Sequence, residues 1–505
     1  MSSSSNWFDN DDSNPRTLIL CFDGTTNEFS DHNTNVVKLY RLFERDTPRQ
    51  LCYYQPGIGT GTFTPNGYFS PIMRRLESWL DQAFAIFIDA HIRSGYAFIM
   101  QNHRPGDRIC LFGFSRGAYI ARALAGMLHK VGLLPKDNAE QVRFAYKLYK
   151  QTGLASDRLA AEYKKTFCRE VSIDFIGVWY VDTVESVGFF AGRNLPFATN
   201  NSAIKIFRHA LALDECRAKF RPNLWGSQYF SDSSSEASGE GEIKSPLIRT
   251  RITDIAARAR IEIGRAELPQ EKQIVSGSPE QGQAQNKLKD NVKDEKRTNV
   301  LEMWFAGCHS DVGGGFLSNE QPHDLSRISL RWMVREIYFV AEQCGITFDP
   351  EGLRSSAIPL YDSLPQGAFP YYPGALSLQD DELAKSNNAG PLTAQDEEHA
   401  NPNNVGPLTV QDTRDAVAPL HSRLYTWHLW AALFWWFLEL WCIGYRSYDA
   451  EYSPRKTFTP NLGRGRKIPG RPILHWTVQE RMTKGYRPRA TWKEGNEAYE
   501  GRASQ

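Results

Sequence analysis

The chain has 505 residues, 41% hydrophobic and 23% charged, which is apolar material enough for one large α/β domain with insertions or for two domains. Its 59 Lys and Arg against 58 Asp and Glu leave a net charge of +1, so no global electrostatic case exists for nucleic acid or a strongly anionic surface. The 8 cysteines form no C-x-x-C pair and several sit in apolar runs, so they read as buried free thiols of a reducing compartment; neither a disulfide frame nor a zinc site is indicated.

Residues 1–16 are polar and acidic. They read as a disordered tail with no basic n-region and no apolar h-region, hence no secretory signal and an expected cytoplasmic location. Thr17 to Phe22 (TLILCF) is a compact apolar run, the expected first parallel strand. It opens into Asp23-Gly24-Thr25-Thr26-Asn27, where glycine, hydroxyl and amide residues at the end of a strand make a loop of exposed backbone N–H groups. Gly24 and Thr25 are candidate oxyanion donors and Asp23 a supporting residue; a strand-to-helix turn capped by Asp23 or Thr25 is the competing reading.

Asn35 to Phe43 has helical spacing and Leu51 to Tyr54 is a second short strand. The loop Gln55 to Gly61 is rich in glycine but lacks the G-K-[ST] ending of a phosphate loop. Ala83 to Ile99 reads as a long helix, and Arg108 to Phe114 as a buried strand, followed by a helix from Ala118 to Leu134.

Between that strand and helix stands Gly113-Phe114-Ser115-Arg116-Gly117. Three fixed positions of this kind recur by chance in about one chain in six of this length, so the flanks decide. Strand before, helix after and small residues at 118, 121 and 125 fit a G-x-S-x-G nucleophile elbow, with Ser115 at the positive end of a helix. Arg116, the residue after the nucleophile, supplies the second oxyanion donor in that arrangement. A tight turn with a structural serine is the bland alternative.

Val171 to Val178 is strand-like and leads to Asp182, the candidate for orienting a catalytic histidine. An acid past a strand end, later in the chain than the serine, follows the order serine, acid, histidine. Asp174, inside the strand, is a second candidate, and Asp182 followed by Thr183 also suits a plain turn. Arg208 to Trp225 reads as an amphipathic helix, in which His209 is a base only in principle. From 226 to 297 the composition turns polar, as in an inserted and largely disordered loop.

Order returns at Val300 to Ala306, a buried strand opening into Gly307-Cys308-His309-Ser310-Asp311-Val312 and three glycines. His309 is the expected general base, carried on a loop that bends back to the serine. Asp311 caps the next turn, contacts His309 through the backbone, or competes with Asp182 as the acid. Leu325 to Val340 reads as a covering helix. The polar stretch 381–422 contains a tandem echo, Gly390 to Asp396 and Gly406 to Asp412, taken as a duplicated loop. Leu424 to Tyr445 is the most apolar stretch, open to three readings: a core or cap helix, an interfacial helix near a lipid substrate, or a membrane span. His428, Glu439 and its dispersed tryptophans argue against the last. The tail to 505 is expected to pack on the domain.

Three segments, LILCFDGTTNEF with NTNVVKL, LFGFSRGAYIARALAGML and WFAGCHSDVGGGF, together resemble the α/β-hydrolase domain family that includes bacterial type VI secretion phospholipase effectors and many uncharacterised fungal proteins. RHALALDECRAKFRP and SLRWMV resemble it too. The likeness covers residues 17–225 and 298–345, with fainter echoes in FWWFLE and in NLGRGRKIP through ILHW. It departs from the family pattern where Tyr180 and Val181 separate Trp179 from Asp182-Thr183-Val184, which keeps strand alternation but shifts the loop.

The residues and the resemblance together lead to the expectation of an α/β-hydrolase-like, mostly parallel and helix-covered sheet; the residues alone give the long disordered insertions, the C-terminal apolar helix and a division at 17–225, 226–297, 298–380, 381–422 and 423–505. The resemblance implies a serine hydrolase of carboxylic esters, lipid or phospholipid acyl esters above all, acting through Ser115, Asp182 and His309 with no metal and no cofactor. Lipid or another acyl ester is the expected partner, with peripheral membrane contact through 424–445 and no nucleic acid. The alternatives are a non-catalytic interaction module on the same fold and a membrane-anchored protein held by residues 424–445.

Overall fold

Both faces of the first strand are buried, which is why its sequence is apolar without alternation. In the computed structural model, β1 (Thr17–Phe22), β2 (Gln50–Gln55), β3 (Arg108–Phe114), β4 (Ile173–Trp179), β5 (Ile204–Ala212), β6 (Asn299–Phe305) and a two-residue strand, Ile473–Leu474, make a seven-stranded sheet. Its order is β2-β1-β3-β4-β5-β6 followed by Ile473–Leu474, and every pairing is parallel.

The structure describes residues 15–24, 27–45, 47–57, 73–179, 195–198, 200–218, 220–225, 298–356, 358, 407–422, 436, 439–440, 445–448, 454–457, 459–494 and 497–499. Contacts divide the chain into Met1–Ser227 with Thr298–Gln505, which holds every described residue, and Gln228–Arg297.

Helices cover the two faces. Leu18, Leu20 and Phe22 pack with Ile92, Tyr96 and Ile99 of α2 (Met73–Asn102) and with Ile120, Leu124 and Met127 of α3 (Arg116–Val131). Ile19 and Cys21 face the other way, with Val36 and Leu39 of α1 (Asn35–Leu42) and with Trp332 and Met333 of a helix at Ser326–Phe339. Successive strand residues thus feed two separate cores. Two amphipathic helices not foreseen from the sequence, α4 (Val142–Lys150) and α5 (Leu154–Phe167), pack with α3.

Because β2 and β3 lie on opposite sides of β1, the chain leaving β1 turns to the α1 face and the chain leaving β3 turns to the α3 face. The carboxyl ends of β1 and β3 therefore flank a topological switch point, the place where open α/β sheets take their ligands.

Three expectations are corrected, and a fourth falls mostly outside the described residues. Arg208 and His209, read as helical, lie in strand β5. The helix expected at 83–99 runs Met73–Asn102. The second copy of the tandem echo begins a helix, Pro407–Ala416, where a loop was expected; the first copy is outside the described residues. Of 424–445 only Trp436, Glu439, Leu440 and Tyr445 are described, and Tyr445 begins a strand, Tyr445–Tyr448. Glu439 is buried in protein, where its carboxylate accepts the N–H groups of Ala218 and Gly463 at 2.6 and 3.0 Å. No helix among the described residues is long and apolar enough to cross a membrane.

Candidate active site at the sheet's switch point

Ser115 is the residue through which β3 becomes α3. Its backbone stands at φ 56° and ψ −122°, a conformation that costs a non-glycine residue about 1–3 kcal/mol. Its N–H donates to the carbonyl of Trp179 at 3.0 Å, which ties the turn to the end of β4.

The two flanking glycines are there for want of room. A Cβ on Gly113 would lie 2.5 Å from the Gly117 carbonyl oxygen, and one on Gly117 would lie 2.2 Å from that of Phe22. The elbow is thereby pressed onto the end of β1. Arg116 takes the first turn of α3, where backbone N–H groups have no partner within the helix.

The loop after β1 is held by Asp23. Its Oδ1 accepts the N–H of Gly24 at 2.7 Å and the hydroxyl of Thr34 at 2.8 Å, while Oδ2 accepts the Tyr54 hydroxyl at 2.9 Å. Burial nevertheless outweighs these bonds and raises its pKa from 3.8 to about 6. Gly24, expected as an oxyanion donor, thus gives its N–H to the neighbouring carboxylate. Thr25 is outside the described residues.

His309 opens a short helix, α6 (His309–Gly313), after β6. The imidazole centroid is 4.7 Å from the ring of Phe114, the residue before Ser115, and 4.8 Å from the ring of Phe220, edge to face. The helix is anchored to α1: Asn35 Nδ2 donates to the Val312 carbonyl at 2.9 Å, and Gly314 bridges to Thr34. Burial, reinforced by the Arg217 guanidinium, holds His309 well below the usual 6.5, with Glu215 pulling the other way and Arg466 and Arg116 adding to the depression. At neutral pH the ring is neutral and able to take a proton.

The expected acid, Asp182, is outside the described residues. Asp174 lies at the other end of the sheet, where its oxygens accept from Lys205 Nζ at 2.6 Å and from the Ile109 N–H at 2.9 Å. Asp311 caps α6 by accepting the Cys308 N–H at 2.9 Å, and its other oxygen meets His421 Nδ1 at 2.8 Å. His209 is fully buried in β5 with Nδ1 at 2.9 Å from Glu302 Oε1.

Sequence reading missed the loop after β5. Glu215 there accepts the backbone N–H of His309 at 3.2 Å and a two-pronged contact from Arg217 at 2.9 and 2.7 Å. The one local signal was charge immediately past a strand end, in Asp214, Glu215 and Arg217, and it was absorbed into a helical pattern.

The chain is thus an α/β protein with a parallel sheet, a strained serine at its switch point and a buried histidine against the residue before that serine. The comparisons make the class specific. The family "T6SS, Phospholipase effector Tle1-like, catalytic domain" matches residues 16–336, and the chain belongs to that family. It is 31% identical to an uncharacterised protein, YEL023C, of Saccharomyces cerevisiae, over 94% of this chain and 80% of that one.

Two solved structures are fainter likenesses. A protein of Pseudomonas aeruginosa titled as uncharacterised is 16% identical, with a TM-score of 0.32, over 80% of this chain and 53% of its own, so this chain spans about half of it. A structure of the Tle1 effector bound to the VgrG spike is 17% identical, with a TM-score of 0.30, over 69% of this chain and 77% of its own.

Proposed function

We propose that the protein is a serine hydrolase that cleaves acyl esters of lipids, phospholipids in the first place. The supporting observation is the backbone of Ser115, held at φ 56° at the switch point between β1 and β3, with the His309 imidazole against the residue before it. Strain of this kind is retained where the surroundings enforce it, and functional sites are where it collects. Family membership supplies the lipid class.

In this reading His309 removes the Ser115 proton as the serine oxygen attacks the ester carbonyl. The bond from carbonyl carbon to alkoxy oxygen breaks, and the imidazolium returns the proton to the leaving alcohol. Water then attacks the acyl-enzyme by the same route and frees the acid. Asp182 holds the imidazole in the working tautomer. Backbone N–H groups at Arg116 and in the Gly24–Thr25 loop stabilise the oxyanion; at Gly24 this requires that Asp23 Oδ1 release the N–H it accepts. A cytoplasmic setting with peripheral membrane contact through 424–445 belongs to the same proposal.

The test is release of fatty acid from phosphatidylcholine and phosphatidylethanolamine vesicles, beside a panel of water-soluble short-chain esters, read by mass spectrometry. Vesicle hydrolysis that vanishes in Ser115→Ala supports the reading. Folded protein inert on every ester favours a non-catalytic module on this fold.

A further inference from the structure

The loop that touches His309 is held from behind by the far end of the chain, beyond the stretch matched by the family. Arg466 is buried, and its guanidinium donates to the Glu215 carbonyl at 2.8 Å through Nε, to the same oxygen again through Nη2, and to the Phe220 carbonyl at 2.9 Å. One planar fork thus fixes both ends of the segment 215–220.

That segment presents two contacts to His309. Glu215 Oε2 accepts its backbone N–H, and the Phe220 ring stands edge to face on its imidazole at 4.8 Å. Between them the Arg217 guanidinium lies 3.6 Å from the centroid of the Phe220 ring while pairing with Glu215. The same loop is tied to the C-terminal region elsewhere: Asn461 Nδ2 donates to the Cys216 carbonyl at 2.6 Å and the Tyr486 hydroxyl to Asp214 Oδ2 at 2.5 Å.

We propose that Arg466 is a positioning residue for His309, acting through the Glu215 and Phe220 segment, so that the C-terminal region is a working part of the active site and not only a cover. This rests on His309 being the general base. A second route reinforces the first. Arg217, Arg466 and Arg116 all disfavour a proton on His309 while Glu215 favours one, so Arg466 also helps keep the base unprotonated.

The test needs no known substrate. The second-order rate of labelling by a fluorophosphonate, which requires a serine activated by its base, is measured from pH 4.5 to 9 for the full chain and four variants, with thermal melts alongside. Wild type should label with its acid limb below pH 6.5. Arg466→Met should lower the plateau about tenfold or more and move the limb upward, because a like charge near the imidazole is gone. Glu215→Gln should move the limb downward. Arg466→Lys keeps the charge but not the fork, so its limb should stay while its plateau falls about fivefold or more.

A folded Arg466→Met protein whose plateau stays at the wild-type rate contradicts the proposal, whatever its limb. Should that variant not fold, an unchanged Arg466→Lys plateau or an unmoved Glu215→Gln limb overturns it. His309→Asn separates the two levels: labelling as fast as wild type removes His309 as base and the proposed function with it, irrespective of Arg466.

Discussion

The two ends of one sheet are built on different terms. At the amino ends, charge is matched on the spot: Asp174 takes Lys205 and the Ile109 N–H, and Asp107 takes both the side chain and the backbone N–H of Arg16. Burial alone would raise the pKa of Asp107, but the bonds from Arg16 and the Arg104 N–H more than offset it and hold it below the usual carboxylate value. At the carboxyl ends Glu215 is matched in the same way by Arg217, but three other groups are not. Asp23 has three donors and is still lifted to about 6, His309 is buried among guanidinium groups, and Ser115 stands in a strained conformation. Neighbouring strands thus carry a saturated end and an end where unfavourable terms are kept, which is the pattern of a reactive site held by a stable frame.

The largest effects should come from the strained end. His309→Asn is expected to lower fluorophosphonate labelling by about a thousandfold with the fold intact; labelling near the wild-type rate would erase the distinction between the two ends. Gly117→Ala comes next. Its new Cβ would meet the Phe22 carbonyl oxygen at 2.2 Å, rigid backbone that cannot swing aside. A loss of about 4 kcal/mol or more, or failure to fold, is expected from chemical denaturation, and a melt unchanged from wild type would mean that the elbow is not pressed on β1.

Asp174→Asn probes the saturated end. It should cost about 1–3 kcal/mol of stability and leave the labelling rate per folded molecule untouched; a selective loss of labelling would show that the amino end reaches the chemistry.

The smallest and sharpest effect concerns Asp23. With a folded value of about 6 against 3.8 unfolded, the folded chain holds the extra proton between those values. Its contribution to stability is therefore greatest below 3.8, falls as pH rises through that window, and is lowest above about 6. Asp23→Asn, which bears no charge, should melt higher relative to wild type at pH 8 than at pH 4. The difference should be about 1–3 kcal/mol after the lost Tyr54 acceptor is allowed for. Equal shifts at both pH values would place Asp23 in the saturated class.

Much of this was legible in the sequence, for identifiable reasons. β1 and β3 are buried on both faces, so they are uninterrupted apolar runs, and the elbow announces itself by glycines that nothing larger could replace. β5 was misread because Arg208 and His209 break its apolar run. Their partners, Glu336 at 2.5 Å and Glu302 at 2.9 Å, are 128 and 93 residues away in the chain. The helix Pro407–Ala416 was hidden in the same manner, for its buried Asp412 and Asp415 look like loop polarity until Arg331 is seen between them. The roles of Glu215, Arg466 and His421 depend on folds of the chain that no local spacing encodes. Polar groups whose partners lie far away in the chain account for β5, the helix Pro407–Ala416, Arg466 and His421, whereas Glu215 pairs locally with Arg217 and meets His309 only through the fold.

The most direct trial of the central claim is the mass of the whole protein after exposure to a fluorophosphonate, followed by peptide mapping. A single adduct on the peptide that carries Ser115, missing from folded Ser115→Ala, is the predicted result; folded wild-type protein that stays at its native mass, or an adduct confined to another residue, would contradict it.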